Sequence, residues 1–211
     1  GEIFIKNKKR DGKRALLQFI RTLRKKRYDL IVDLRTDGLA YLLRAKKRLT
    51  KWGRKPYGPH AVEGLTAIID EINPEKTIPP CKIWLSDKET RQADQLTDNL
   101  PGKTWLAIGP GANWRRKIWE SEKFATTTNS LKEEFDGVII IGSPRDAEYS
   151  RKTAEKLSLP YVDLTGKTDI LTAAAILKKC SLFIGNDSGL GHLASAVKTP
   201  SITVFGQGIP E

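Results

Sequence analysis

From residue 104 to residue 206 the chain repeats one rhythm, and nothing else in it constrains the fold as much. "TWLAIG", "GVIIIG", "YVDL", "SLFIG" and "SITVFG" are short apolar runs. Between them lie segments of helical character: one opened by Ser121, then "PRDAEYSRKTAEKL" and "DILTAAAILKK". Runs apolar at consecutive positions suit strands buried on both faces, and parallel strands need a crossover between them, usually a helix. Strands alternating with helices in this way predict an α/β fold with a doubly wound parallel sheet.

Open sheets of that kind bind ligands at the carboxyl ends of their strands. The last such turn is in "GNDSGLGHLASAVKTPSITVFG", residues 185–206, where Leu190, Leu193, Ala194 and Val197 recur at helical spacing and Ser188 stands at the N-cap position. A helix starting there aims unpaired N–H groups and a positive dipole end at the crevice, and Gly189 lets an anion approach the backbone. Ser188 can add a hydroxyl, and His192, one turn in, can face the same anion. Asp187 or Ser188 acting only as a cap, with His192 on the surface, explains the same residues.

Two further turns carry candidates. "IGPGANWRRKIWESEKF" places Gly109, Pro110 and Gly111 after a strand, and its spacing is neither GxGxxG nor a Walker loop, so nicotinamide and NTPase readings lack their usual support. Lys117, just before Trp119, can reach a diphosphate in the crevice or point to solvent. In "IGSPRDAE", Asp146 can complement a helix dipole or accept bonds from ribose hydroxyls. No metal-ligand spacing occurs, and Cys81 and Cys180 stand far apart, so neither a metal site nor a disulfide framework is predicted. Cys180 reads as a buried thiol at a helix end.

The first half is less regular. Leu16, Phe19, Ile20 and Leu23 mark an amphipathic helix, "YDLIVDL" a parallel-type strand, "GLAYLLRAKKRL" and "HAVEGLTAIIDEI" further helices, and "NPEKTIPP" a loop. The domain boundary is placed near residues 98–103, after the amphipathic "KETRQADQL", giving domains 1–100 and 101–211. Of the net charge of +12, residues 1–56 hold 19 Lys or Arg against 5 Asp or Glu, leaving 18 against 20 elsewhere. The runs "KNKKRDGKR", "RTLRKKR" and "RAKKRLTKWGRK" suit nucleic acid, an anionic membrane surface or an acidic substrate, or else form solvated faces. No recognisable nucleic-acid module is present, so nucleic acid is not the expected partner. No run approaches a membrane span and no signal peptide is read, which predicts a soluble, cytoplasmic chain.

Together, "GNDSGLGHLASAVKTPSITVFG", "IGPGANWRRKIWESEKFA" and "KRYDLIVDLRTDGL" resemble glycosyltransferase family 9, the lipopolysaccharide heptosyltransferases. The most specific element is D-[S/T]-G-x-x-H, here Asp187, Ser188, Gly189 and His192. The resemblance implies the GT-B architecture: two Rossmann-like domains facing across a cleft, acceptor on the amino-terminal one and nucleotide sugar on the other. It implies an inverting transferase moving heptose from ADP-heptose to the inner core of lipopolysaccharide, with no cofactor. The enzyme would act peripherally at the cytoplasmic face of the inner membrane, on an anionic lipid-linked saccharide acceptor.

By the same resemblance Asp187, Ser188, Gly189 and His192, with Lys117 and Asn113, hold the donor's diphosphate region. Asp146 matches the ribose-binding acid, and Thr168 the segment lining the adenine pocket. The family's catalytic base, an aspartate in a Gly-Asp motif after the first strand, has no match. A family Gly-Pro-Thr-Asp-Pro after the last strand reads "GQGIP" here, and methionine is absent. The expectation is that segments preceding and following this stretch, and methionines, are missing from it. A nucleotide-sugar-binding module without catalysis is the alternative function.

Overall fold

A computed structural model describes residues 2–5, 12–36 and 38–206, with only the backbone of Gly12 and Lys13. Most of the basic run at 6–14 and the "GQGIP" departure lie outside the described residues. The chain forms two compact units that divide between Pro79 and Pro80.

The second unit contains the repeating rhythm. Its strands are β3 (Trp105–Gly109), β4 (Gly137–Ile140), β5 (Tyr161–Asp163), β6 (Leu182–Asn186) and β7 (Ser201–Val204). All pair in parallel in the order β5-β4-β3-β6-β7. The helices are α4 (Asp87–Thr97), α5 (Ser121–Ser130), α6 (Ala147–Ala154), α7 (Ile170–Lys179) and α8 (Gly189–Ala196).

Strand alternation sorts the core into two layers. Trp105 and Ala107 of β3, Ile139 of β4 and Phe183 of β6 pack with Ala93 of α4, Ile176 of α7 and Ala194 of α8. Leu106, Ile108, Val138, Ile140 and Ile184 point the other way, onto Phe124 of α5 and Ala154 of α6. Both faces are covered, which explains why these strands read as unbroken apolar runs. Ser86 caps α4 through a box with Glu89, and Asp169 caps α7 by accepting the Thr172 N–H at 2.7 Å.

The first unit holds α1 (Gly12–Leu23), β1 (Tyr28–Asp33), α2 (Leu39–Leu42), β2 (Ala45–Thr50) and α3 (Ala61–Ile68). β1 and β2 form a two-stranded parallel sheet with Val32 opposite Leu49. Asp33, at the carboxyl end of β1, accepts the N–H groups of Arg35, Thr36 and Ala40 and the Thr36 hydroxyl, fixing the turn into α2.

Two expectations fail here. "GLAYLLRAKKRL" is not one helix: α2 stops at Leu42, Leu43 is extended (φ −104°, ψ 160°), and residues 45–50 become β2. Pairing with β1 and full burial of Leu49 outweigh the helical spacing of the leucines. The boundary expected at 98–103 lies at Pro79–Pro80 instead, because α4 packs against α7 and Ala93 joins the second unit's core. "NPEKTIPP", read as an internal loop, leads directly into the division.

Candidate functional site

In the order β5-β4-β3-β6-β7 the chain runs outward from β3 through β4 and β5, then returns to β3's other side with β6. That reversal makes the carboxyl ends of β3 and β6 the switch point, where open sheets leave a crevice. Gly109, the last residue of β3, pairs with Gly185, the next-to-last residue of β6. The loop after β3 leads into a single 3-10 turn, Arg115–Lys117, closed by the Lys117 N–H on the Trp114 carbonyl at 2.9 Å. The loop after β6 carries Asp187 and Ser188 into α8.

Lys117 and Asp187 meet directly. The Lys117 ammonium pairs with Asp187 Oδ2, and the two side chains are 31% and 24% exposed, so the pair sits in the wall rather than free in water. One contact occupies one of three ammonium donors and leaves two for a ligand. Beside it, Ser188 holds the N-cap position of α8 in extended conformation without bonding the helix. Its Oγ is buried and has no partner among the described residues. A buried hydroxyl left unbonded costs about 1–3 kcal/mol, so a ligand oxygen there gains what the protein leaves unsatisfied. The α8 amino terminus adds its own N–H groups and dipole.

Asn186, which the sequence reading passed over, holds this site together. Fully buried at the end of β6, it donates to the carbonyls of Pro110 (2.9 Å) and Gly111 (3.4 Å) and accepts the Trp119 N–H at 2.9 Å. One carboxamide therefore fixes both ends of the loop that carries Lys117. The only local hint was a polar residue closing an apolar strand. At Gly206 an added Cβ would collide with the Arg116 carbonyl, so the chain leaving β7 packs directly on the lysine turn.

Asp146 lies in the next turn, where its carboxylate accepts the Ser143 N–H and hydroxyl, both at 2.7 Å. It also adjoins the loop after β3, since a Cβ on Gly111 would run into the Asp146 carboxyl. Capping and proximity to the crevice are thus both real, and Oδ1 faces Gly111. Thr168 is half-buried in the loop after β5, which is tied to the Asp146 turn by the Gly166 N–H on the Gly142 carbonyl at 2.8 Å. Thr168 makes no direct bond to the Lys117 cluster. Asn113 is exposed in the loop after β3, Gly189 is exposed with open space around its Cα, and His192 is exposed one turn into α8. None of these three is bonded to the Lys117–Asp187 pair.

Two of the cavities among the described residues lie away from this crevice. One of about 610 Å³, lined by Trp119, Ser121 and Tyr149, has its lysines Lys152 and Lys156 already paired with Glu148 and Glu122. The other, about 520 Å³, is in the first unit, where Leu34, Arg35, Lys51 and Arg54 follow the carboxyl ends of β1 and β2. Among the described residues no three His, Cys, Asp or Glu side chains cluster as metal ligands, and no helix is long and apolar enough to cross a membrane. Burial pushes the Cys180 thiol up to about 12, so it stays protonated at neutral pH.

Comparison with known proteins fits this arrangement. The chain is 25% identical over 218 residues to the lipopolysaccharide core heptosyltransferase OpsX of Haemophilus influenzae, covering 93% of this chain and 62% of that protein. A family 9 glycosyl transferase structure from Veillonella parvula superposes with a TM-score of 0.80 at 16% identity, over 91% of this chain and 62% of the other. Escherichia coli heptosyltransferase WaaC, solved with ADP-2-deoxy-2-fluoro heptose, gives 0.66 at 20% identity, over 94% and 68%. The chain spans about three-fifths of the first two proteins' lengths. Over that span its mixed α/β fold with parallel sheets is the one seen in the GT-B heptosyltransferases. Residues 41–211 match the family described as "Glycosyltransferase family 9 (heptosyltransferase)", and with the parallel sheets and the Asp187–His192 motif in place the chain belongs to glycosyltransferase family 9.

Proposed function

We propose that the second unit binds a nucleoside-diphosphate sugar, ADP-heptose or a close relative, as the donor half of an inverting transferase that builds the lipopolysaccharide inner core. The observation that carries this reading is the convergence of Lys117, Asp187 and the unbonded Ser188 hydroxyl on the amino terminus of α8 at the sheet's switch point. A departing diphosphate gains negative charge as the glycosidic bond breaks. An ammonium with two spare donors and a helix amino terminus stabilise that charge without rearranging. Asp187 would repel a diphosphate if it stood alone. Paired, it holds the Lys117 ammonium where the charge develops.

Asp146 and Thr168, on the next two loops, are assigned to the ribose and the base, and Asn113, Gly189 and His192 to the diphosphate and sugar. The first unit would take the acceptor, an anionic lipid-linked saccharide, in the pocket of Leu34, Arg35, Lys51 and Arg54. A membrane-surface location for the enzyme follows from such a substrate. The base is not assigned to any described carboxylate. Asp33, at a strand's carboxyl end, accepts four hydrogen bonds from its own turn and is held below the ordinary carboxylate range, so it is assigned to the turn and not to the base. A chain with the donor site and no base would bind ADP-heptose without transferring it. Calorimetric titration with ADP and ADP-heptose, beside a transfer assay, reads both. Failure of either nucleotide to bind would overturn the proposal, and binding without transfer would identify a donor module.

A further inference from the structure

The basic first quarter does not present its charge evenly. Of the cations in "RTLRKKR" and "RAKKRL", Lys26 pairs with Glu2, Lys46 with Asp29 and Lys47 with Glu71. Arg24 donates to the Leu42 carbonyl at 2.9 Å. Arg27 and Arg44 have no hydrogen bond or ion pair from their guanidinium groups among the described residues. They stand next to each other, because they immediately precede β1 and β2 and the Tyr28 N–H bonds the Arg44 carbonyl at 2.9 Å.

Between them lies a pocket of about 430 Å³ lined by Arg27, Leu43, Arg44, Ala45 and Arg48. It contains three guanidinium groups and no carboxylate. Arg48 is anchored: Nε donates to the Ala40 carbonyl at 2.9 Å and Nη2 to the Leu43 carbonyl at 2.8 Å. Two of its five N–H donors are used and three are left. Arg24 and Arg48 together also cover the carbonyl end of α2, which would otherwise oppose an anion there.

We propose that Arg27, Arg44 and Arg48 form a phosphate-binding site at the amino-terminal edge of the β1–β2 sheet. Guanidinium forks match phosphate oxygens bidentately, and an anchored arginine flanked by two without protein partners is an arrangement an anion completes. The site is separate from the acceptor pocket proposed above. That pocket follows the carboxyl ends of the same six-residue strands, on the order of 20 Å away at about 3.3 Å per residue. The inference does not rest on the transferase reading. A phospholipid headgroup and a soluble phosphate present the same chemistry, and half-exposed Leu42 beside Leu43 gives a headgroup an apolar neighbour.

The test uses charge-conserving variants, because a diffuse basic surface responds to charge alone. The chain is titrated with inorganic phosphate and, separately, sedimented with phosphatidylglycerol-containing phosphatidylcholine vesicles at an ionic strength of about 0.15 M. Arg27→Lys with Arg44→Lys keeps the charge and removes both forks. It should weaken whichever ligand binds by about fivefold or more, the equivalent of about 1 kcal/mol. Arg27→Gln with Arg44→Gln should weaken it further, and more than Lys25→Gln with Lys46→Gln, which removes equal charge. A response to vesicles alone identifies a lipid headgroup, and a response to phosphate alone a soluble ligand. Unchanged binding in the lysine variant, equal losses in the two glutamine variants, or no binding of either ligand overturns the proposal.

Discussion

β1 and β3 carry the same kind of sequence and meet different surroundings. "YDLIVDL" and "TWLAIG" are both apolar runs of the type found in buried parallel strands. Every residue of β3 is buried beneath helices on both faces, whereas in β1 only Asp33 is buried and Leu30 and Val32 are each 37% exposed. Pattern states what a strand can bury; neighbours decide what it does bury. The second unit supplies strands on both sides of β3 and two helical layers, and among the described residues the first pairs β1 with β2 alone.

The sharpest break in that comparison is a strand truncation in each unit. Phe183→Ala, in the fully buried core, should cost about 3–5 kcal/mol in urea unfolding, while Val32→Ala in β1 should cost less than about 1 kcal/mol. Amide exchange should follow suit, slow through β3 and β4 and faster through β1. Comparable losses would mean that the two units share their stability.

Next in size are substitutions at Asn186 and Lys117 of the candidate site. Asn186→Ala strands the Trp119 N–H and two carbonyls, which predicts a loss of about 1–3 kcal/mol in stability together with weakened ADP binding. Asn186→Asp retains the acceptor and loses the donors, so it should recover only part of both. Lys117→Ala should weaken ADP binding by about 1.5–3 kcal/mol by calorimetry and slow any transfer. Arg115→Ala and Arg116→Ala should do little, since Arg116 lies 5.7 Å from the Trp114 ring rather than at Asp187. Small, equal effects from all three would count against the assignment.

The smallest effect belongs to Asp33. Burial opposes its charged form, but bonds from the Thr36 hydroxyl and from the N–H groups of Thr36, Arg35 and Ala40 outweigh that, leaving its pKa below the ordinary value. A carboxyl depressed in the folded state adds stability above its unfolded pKa and loses it as pH falls through the folded one. The first unit should therefore weaken progressively in acid below the usual aspartate range. Asp33→Asn should flatten that slope in unfolding measured against pH, and an unchanged slope would show that the turn does not depend on the charge.

How much of this was legible in sequence depended on how local the cause was. β3, β4 and β6 were readable because burial on both faces writes an unbroken apolar run, and Lys117, Asp187 and Ser188 because glycines and a cap mark the turns that carry them. β2 was not, since Lys46, Lys47 and Arg48 on a half-exposed strand look like a polar helix face until β1 is beside them. The division at Pro79–Pro80 was hidden because α4 belongs with α7, whose residues come about eighty positions later in the hydrogen bond between Thr172 and Gln92. Asn186 escaped notice for a related reason: each of its partners is distant in sequence.

That distance has a kinetic meaning. The bonds that fix the Lys117 loop span 67 and 76 residues, and the Lys117–Asp187 pair spans 70. Contacts so far apart require closure of a long chain segment before they return any free energy, and they form after the local helices and turns. During synthesis the lysine turn is made well before its anchor, and the proposed anion site is incomplete until β6 has docked beside β3. A nucleotide that binds the finished crevice therefore selects chains whose last crossover is already in place, so ligand present during refolding should trap the completed sheet without hastening the steps that precede it.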